Sequence, residues 1–430
     1  MTSSTCRYVL TCSSCRRRLA DDGKVLDCPG GHAPALLRTE YANSVFTPSR
    51  DRSGLFRYRE WLPVSGGQED VGGTSVYRSE GLAKALGLRN LWIAFNGYWP
   101  ERGAGLVTAT FKELEAYTVL GRLRGSDTIL TVASSGNTGA AFAWACSQRG
   151  VPCLVIVPGK SLHRFRFPAP LREFTRLVTI ADGDYPDAME LAAVVSEMPY
   201  FHAEGGVKNV GRRDGLGTVL LAAFEAMRCL PAYYFQAVGS GTGAIAVLEA
   251  ARRLAGLAGG NIVLPRLMMC QNLPFTPIYE AWRSRKHHLI TESTEKLRVA
   301  ARDVYADELT NWRPPYDISG GAYDALTVSQ GDVLVVDNAS ARVAAEMFAE
   351  LEGVDIEPAA GVALACLHDA VIQGRIDSES VVQLNVTGGG RLRLSHDFPL
   401  VRAEPQLQLA RCSLASDAVQ GQIAGLFGIS

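Results

Sequence analysis

From Lys112 onward the chain repeats one pattern: a short, almost wholly apolar strand, a glycine-bearing turn, then an amphipathic helix. Leu114, Tyr117, Leu120 and Leu123 recur at helical spacing over Lys112–Arg124. Strands follow at 128–133, 153–157 and 177–180, with helices at 139–149 and 187–198 between and after them. Near residue 215 a second run begins, with strands at 233–238, 266–271, 332–336 and 380–385 and helices at 218–229, 244–257, 339–352 and 359–373. Another strand is expected at 90–96. Strands apolar on both faces must be covered on both faces, so the alternation predicts parallel sheets between layers of helices. The expected division is a ribbon-like segment at 1–40 and crossing segments with the start of the core at 41–110. A smaller α/β domain at 111–214 and a larger one at 215–430 complete it.

A chain of 430 residues exceeds one simple core. The net charge of −1 gives no general attraction to nucleic acid or anionic membrane. No apolar run reaches the roughly 18 residues of a membrane span, and residues 1–18 contain no apolar signal region. Cys146, Cys153 and Cys366 fall within apolar patterns, as buried free thiols do in a reducing cytoplasm. Cys12, Cys15, Cys28 and His32 stand apart in a stretch of little periodicity. Thiolates and imidazole suit zinc, but a second Cys-x2-Cys pair is missing, which weighs against the metal. A ribbon held by packing alone is the alternative.

Three loops carry candidate chemistry. Gly239-Ser240-Gly241-Thr242-Gly243 joins a strand to a helix, where backbone N–H groups and the helix dipole can cradle a phosphate. Its spacing is not that of a dinucleotide fingerprint, and a plain tight turn fits it as well. Ser134-Ser135-Gly136-Asn137-Thr138 sits at a similar junction and suits a carboxylate, or simply caps the helix. Asn137 adds an amide donor for a phenolate oxygen. Asn209 to Gly215 reads as a charged loop in which Asn209 and Arg212 could meet phosphate, with Lys160 as a second anion contact.

Lys112 is one of only seven lysines against thirty-six arginines, and it opens a helix, where a cation is disfavoured. That placement lowers an amine's pKa and favours Schiff-base chemistry. On its own, however, a surface lysine explains it as well. Glu113 and Glu115 are its acidic neighbours, and neither stands at the i+4 position. Thr387 ends a strand ahead of three glycines. A neutral hydroxyl there would leave a pyridine nitrogen largely unprotonated and favour elimination and replacement.

Taken in order, the lysine, the Ser-Gly-Asn loop, the glycine loop and the late threonine resemble the pyridoxal phosphate (PLP)-dependent fold type II family, in its tryptophan synthase β and threonine synthase group. The ribbon-like segment and Asn209-x2-Arg212-x-Asp214-Gly215 resemble the threonine synthases in particular. Tyr77–Lys84, Ala94–Glu101, Phe111–Ala116, Tyr234–Gly243 and Gln271–Pro274 are similar to the cysteate synthase branch, from the ribbon to Thr387. Thr108-Ala109-Thr110 departs from that branch, where Cys-Ser is expected before the lysine, and leaves the nucleophile open.

The resemblance implies a homodimer that acts on O-phospho-L-serine and sulfite through an aminoacrylate intermediate and releases L-cysteate and phosphate. It implies that Lys112 anchors PLP and serves as base, and that Gly239–Gly243, Asn137 and Thr387 hold the cofactor. It further implies that Ser134, Ser135, Gly136 and Thr138 hold the substrate carboxylate, with Asn209, Arg212 and Lys160 near the leaving phosphate. Threonine synthesis from O-phosphohomoserine, or another nucleophile on phosphoserine, are the alternatives.

Overall fold

A computed structural model describes residues 7–65, 71–125, 128–134, 136–257, 263–414 and 416–429. The apolar strands expected from the sequence all form, with ends within two residues of expectation. They build two sheets. The smaller has five parallel strands in the order Phe201–Ala203, Ile129–Ala133, Cys153–Pro158, Thr175–Ala181, Leu407–Ala410. The larger has the order Asp332–Val336, Arg266–Asn272, Tyr233–Ala237, Val381–Val386, Asn90–Phe95, Ser75–Arg78, with only the last pair antiparallel. Helices cover the sheets, and buried aliphatic side chains fill the space between them.

Sheet membership does not follow the expected division of the chain. Asn90–Phe95, expected within the crossing segments and the start of the core, is an inner strand of the larger sheet. Leu407–Ala410, assigned to the larger domain, is an edge of the smaller. An apolar strand pattern states that a strand is buried and leaves its neighbours unspecified.

A second difference concerns Asn209–Gly215. This stretch is the start of a long helix, Val210–Met227, and not a loop. Asn209 caps it by accepting a hydrogen bond from the Gly211 N–H at 2.9 Å. Two glycines weaken helix propensity, but tertiary packing overrides it here. A Cβ on Gly215 would lie 2.6 Å from Thr118 Oγ1, so glycine lets this helix press against helix Lys112–Arg122.

The N-terminal ribbon is a small antiparallel sheet of Tyr8–Cys12, Arg18–Leu19 and Leu37–Tyr41. Arg122 reaches out of the core to grip Asp21 with two hydrogen bonds, at 2.9 and 2.8 Å. Thr39 and Tyr41 both donate to Asp214, each at 2.6 Å. Among the described residues no helix is long and apolar enough to cross a membrane. The nine described cysteines are all free.

Candidate active site

The C-terminal ends of Ile129–Ala133 and Phe201–Ala203 face those of Tyr233–Ala237 and Val381–Val386 across a cavity of about 440 Å³. Ligands of open α/β sheets bind at this edge, where loops leave the strands and helix N-termini converge. Lys112, Ser134, Asn137, Thr138, Arg212, Gly239–Gly243 and Thr387 all line this cavity, although they are far apart in sequence.

Lys112 begins helix Lys112–Arg122. Burial holds its ammonium pKa below the ordinary lysine value, and the attraction of Glu115 offsets only part of that effect. Glu115 Oε2 lies 3.5 Å from Lys112 Nζ, while its other oxygen accepts from Arg212 at 2.9 Å and from Thr138 Oγ1 at 3.1 Å. Arg212 in turn grips Glu204, with its Nε 2.9 Å from Oε1. The lysine is thus one end of a buried chain of alternating charges. Glu115 is its i+3 neighbour, a spacing that also places two side chains on one helix face.

In the Ser-Gly-Asn loop, Ser134 Oγ accepts from the Gly136 N–H at 3.0 Å and the Gly139 N–H at 2.8 Å. It therefore shapes the loop as well as facing the cavity. Gly136 has φ +153°, a conformation suited to glycine, and lies off the cavity wall. Ser135 lies outside the described residues. Asn137 Nδ2 donates to Glu357 at 2.9 Å, while its Oδ1 is buried with no hydrogen-bond partner among the described residues.

Opposite, helix Thr242–Leu257 starts at the glycine loop. Gly241 has φ +76°, and a Cβ on Gly239 would lie 2.8 Å from the Leu309 carbonyl. A Cβ on Gly243 would run into the Gln236 amide. Ser240 and Thr242 hydroxyls sit 2.8 Å apart at the same turn. Thr387 follows strand Val381–Val386, and its carbonyl accepts from the Phe111 N–H at 2.9 Å, next to Lys112.

Two expected anion contacts face elsewhere. The Asn209 amide is consumed by Gly211, by Arg122 at 2.9 Å and by the Glu204 carbonyl at 2.7 Å. Lys160 is exposed and pairs with Asp184 at 3.2 Å. Neither lines the cavity.

Sequence reasoning passed over Glu204, Glu308, Arg313 and Glu357, all of which do line it. Burial, then the nearby charge of Glu357, pushes the Glu308 carboxyl up to about 7. Glu204 follows a strand of three residues, too short to show periodicity.

The residues fit PLP. A lysine with a weakened hold on its proton, the Asn137 side chain and the Gly239–Gly243 turn at a helix start line one cavity and supply an anchor, a polar contact and a phosphate cradle. A family model described as pyridoxal-phosphate dependent enzyme matches residues 68–388, and the chain belongs to that class of enzyme.

Within it, the chain belongs to the cysteate synthase family. It is 42% identical over 405 residues to the cysteate synthase of Methanospirillum hungatei, covering 94% of this chain and 95% of the relative. It is 44% identical to that of Methanosphaerula palustris, covering 92% of each, and 39% identical to that of Methanosarcina barkeri, covering 93% and 95%. Among solved structures, maize serine racemase matches with a TM-score of 0.57 at 18% identity, over 75% of this chain and 91% of the racemase. Threonine deaminase isoform 2 of Solanum lycopersicum matches with a TM-score of 0.57 at 15% identity, over 75% and 86%. At that identity the likeness is one of fold.

Proposed function

We propose that this chain catalyses β-replacement on O-phospho-L-serine with sulfite, giving L-cysteate and phosphate. The observation that carries the reading is Lys112, an enclosed amine facing the glycine cradle across one cavity, in a chain whose relatives are cysteate synthases. Lys112 would anchor the cofactor, with Gly239–Gly243 on its phosphate, Asn137 at its phenolic oxygen and Thr387 at its ring nitrogen. Bound PLP supplies an electron sink that weakens the amino acid's Cα–H bond.

Lys112 Nζ is the group that takes the Cα proton and returns it to the same carbon, a task its lowered pKa favours. The Ser-Gly-Asn loop, with Ser134 and Thr138 on the cavity wall, receives the substrate carboxylate at a helix N-terminus, and Gly136 serves it only by shaping the turn. Arg212 lines the cavity, but Glu204 and Glu115 already engage its guanidinium, so it holds Glu115 and Lys112 in place. The anionic substrates need another cation. Arg313 lines the same cavity, and its guanidinium makes no ion pair with any described residue.

Purified protein supplied with PLP, phosphoserine and sulfite is expected to form cysteate, and Lys112→Ala to lose both turnover and the visible cofactor band. Threonine from O-phosphohomoserine without cysteate, or cysteine from sulfide with sulfite inert, would overturn the reading. Arg313→Ala is expected to raise KM for phosphoserine about tenfold or more, the size of one charge-assisted contact, with cofactor binding unchanged. An unaltered KM would remove Arg313 from substrate binding. The free thiols favour a reducing cytoplasm, and light scattering tests the homodimer that accompanies this reading.

A further inference from the structure

We propose that the N-terminal ribbon binds one zinc ion through Cys12, Cys15, Cys28 and His32, and that this ion fixes the loop backing one wall of the active-site cavity. The four ligand atoms lie within 4.8 Å of one another. Cys12 Sγ is 3.5 Å from His32 Nε2, and Cys15 Sγ is 3.6 Å from Cys28 Sγ. A zinc tetrahedron with Zn–S of about 2.3 Å and Zn–N of about 2.0–2.1 Å has edges of roughly 3.8 Å between sulfurs and roughly 3.6 Å from sulfur to nitrogen. These two spacings match those edges, and the remaining pairs, within 4.8 Å, need only small side-chain shifts to close on one ion. A disulfide needs its sulfurs about 2.05 Å apart, so the Cys15–Cys28 pair is not one.

The surroundings also suit a metal. His32 Nδ1 lies 2.7 Å from the Ala33 carbonyl. That bond places the ring proton on Nδ1 and leaves the Nε2 lone pair directed at the sulfurs, as in metal-bound histidines. A Cβ on Gly30 would lie 2.8 Å from the His32 ring, so only glycine lets the ring fold back so closely. Twelve residues separate Cys15 from Cys28 and three separate Cys28 from His32. These are finger-like intervals, with Cys28-x3-His32 in place of a second Cys-x2-Cys. The ribbon's own core is little more than Tyr8, Leu10, Cys12, Ala35 and Leu37, too small to stand without a staple.

The chain between Cys15 and Cys28 leads directly to the cavity. Asp21 and the Val25 carbonyl both bind Arg122. The Leu26 side chain fills the place where a Gly205 Cβ would be, and Asp27 pairs with Lys208 at 2.8 Å. Gly205 to Lys208 form one wall of the cavity. A metal that closes the ribbon therefore holds this loop against that wall.

Elemental analysis of the full-length holoenzyme, purified without chelators, is expected to give one zinc per chain. Cobalt exchange should produce the visible bands of a tetrahedral thiolate site. Cys15→Ser is expected to lose the zinc while keeping the cofactor band. Stripping zinc from the wild type should raise deuterium uptake over residues 204–211 more than in the strands of either sheet. Substoichiometric zinc in the wild type, iron in its place, or a Cys15–Cys28 disulfide found by mass spectrometry would overturn the metal site, whether or not the variant folds. Stoichiometric zinc with unchanged exchange over 204–211 would overturn its role at the wall.

Discussion

Glu113 and Glu115 flank the same lysine neighbourhood yet do opposite things. Glu115 turns to the cavity side and ties Lys112 to Arg212. Glu113 turns inward, where the Thr108 N–H donates to it, and burial pushes its carboxyl up to about 7. The sequence shows both acids, but not which one shares the lysine's face; helix geometry puts i+3 there and i+1 about 100° away. Because the folded pKa of Glu113 lies above its ordinary 4.5, its contribution is full below pH 4.5 and is lost as pH rises through about 7. The loss amounts to roughly 3 kcal/mol. Glu113→Gln keeps an oxygen for Thr108 and has no proton to lose. The melting temperature of the variant relative to wild type is expected to rise by roughly 3 °C between pH 5 and pH 8. A constant difference across that range would show that Glu113 does not titrate there.

Helix Val210–Met227 sends contacts from four residues at one end to separate parts of the molecule. Asn209 caps it and binds Arg122, Arg212 supports the lysine, Arg213 donates to the Leu37 carbonyl of the ribbon, and Asp214 receives Thr39 and Tyr41. From sequence the same residues look like a solvated charged loop, because every partner lies in another element. The glycine loop is different. Its strand, turn and helix are consecutive, so its form can be read from local pattern alone. What the sequence does not show is the obstacle behind Gly243. Gly243→Ala would displace the Gln236 amide, which also holds Tyr234 at 2.7 Å and Asn385 at 3.0 Å. PLP affinity, read by absorbance during reconstitution of the apoenzyme, is expected to fall about tenfold or more, equal to about 1.4 kcal/mol. An unchanged affinity would argue against this turn as the phosphate cradle.

At the scale of the molecule, the ribbon is joined to the catalytic body by a fully buried ion pair. Asp21 lies in a site where burial would raise its pKa, and the two Arg122 hydrogen bonds hold it below the carboxylate range instead. Removing one partner of such a pair strands the other charge. Asp21→Ala is expected to cost about 3–5 kcal/mol, measured by urea unfolding. Asp21→Ala and Arg122→Met together should cost less than Asp21→Ala alone. If the double variant is no more stable than the single one, the stranded charge is not the cause. Neither residue suggested this role in the sequence, since 101 positions separate them.

The inner position of strand Asn90–Phe95 also has a consequence for how the protein is made. The side chain of Asn96, just beyond that strand, bonds to Asn385, 289 residues further on. At ribosomal speeds of about 5–20 residues per second, roughly 15–60 s pass between the emergence of one and the other. During that interval the nascent chain carries an apolar strand with one open edge and no partner yet in existence. Until then that edge is open to pairing with other chains, so the speed of synthesis sets how long the strand is exposed to aggregation.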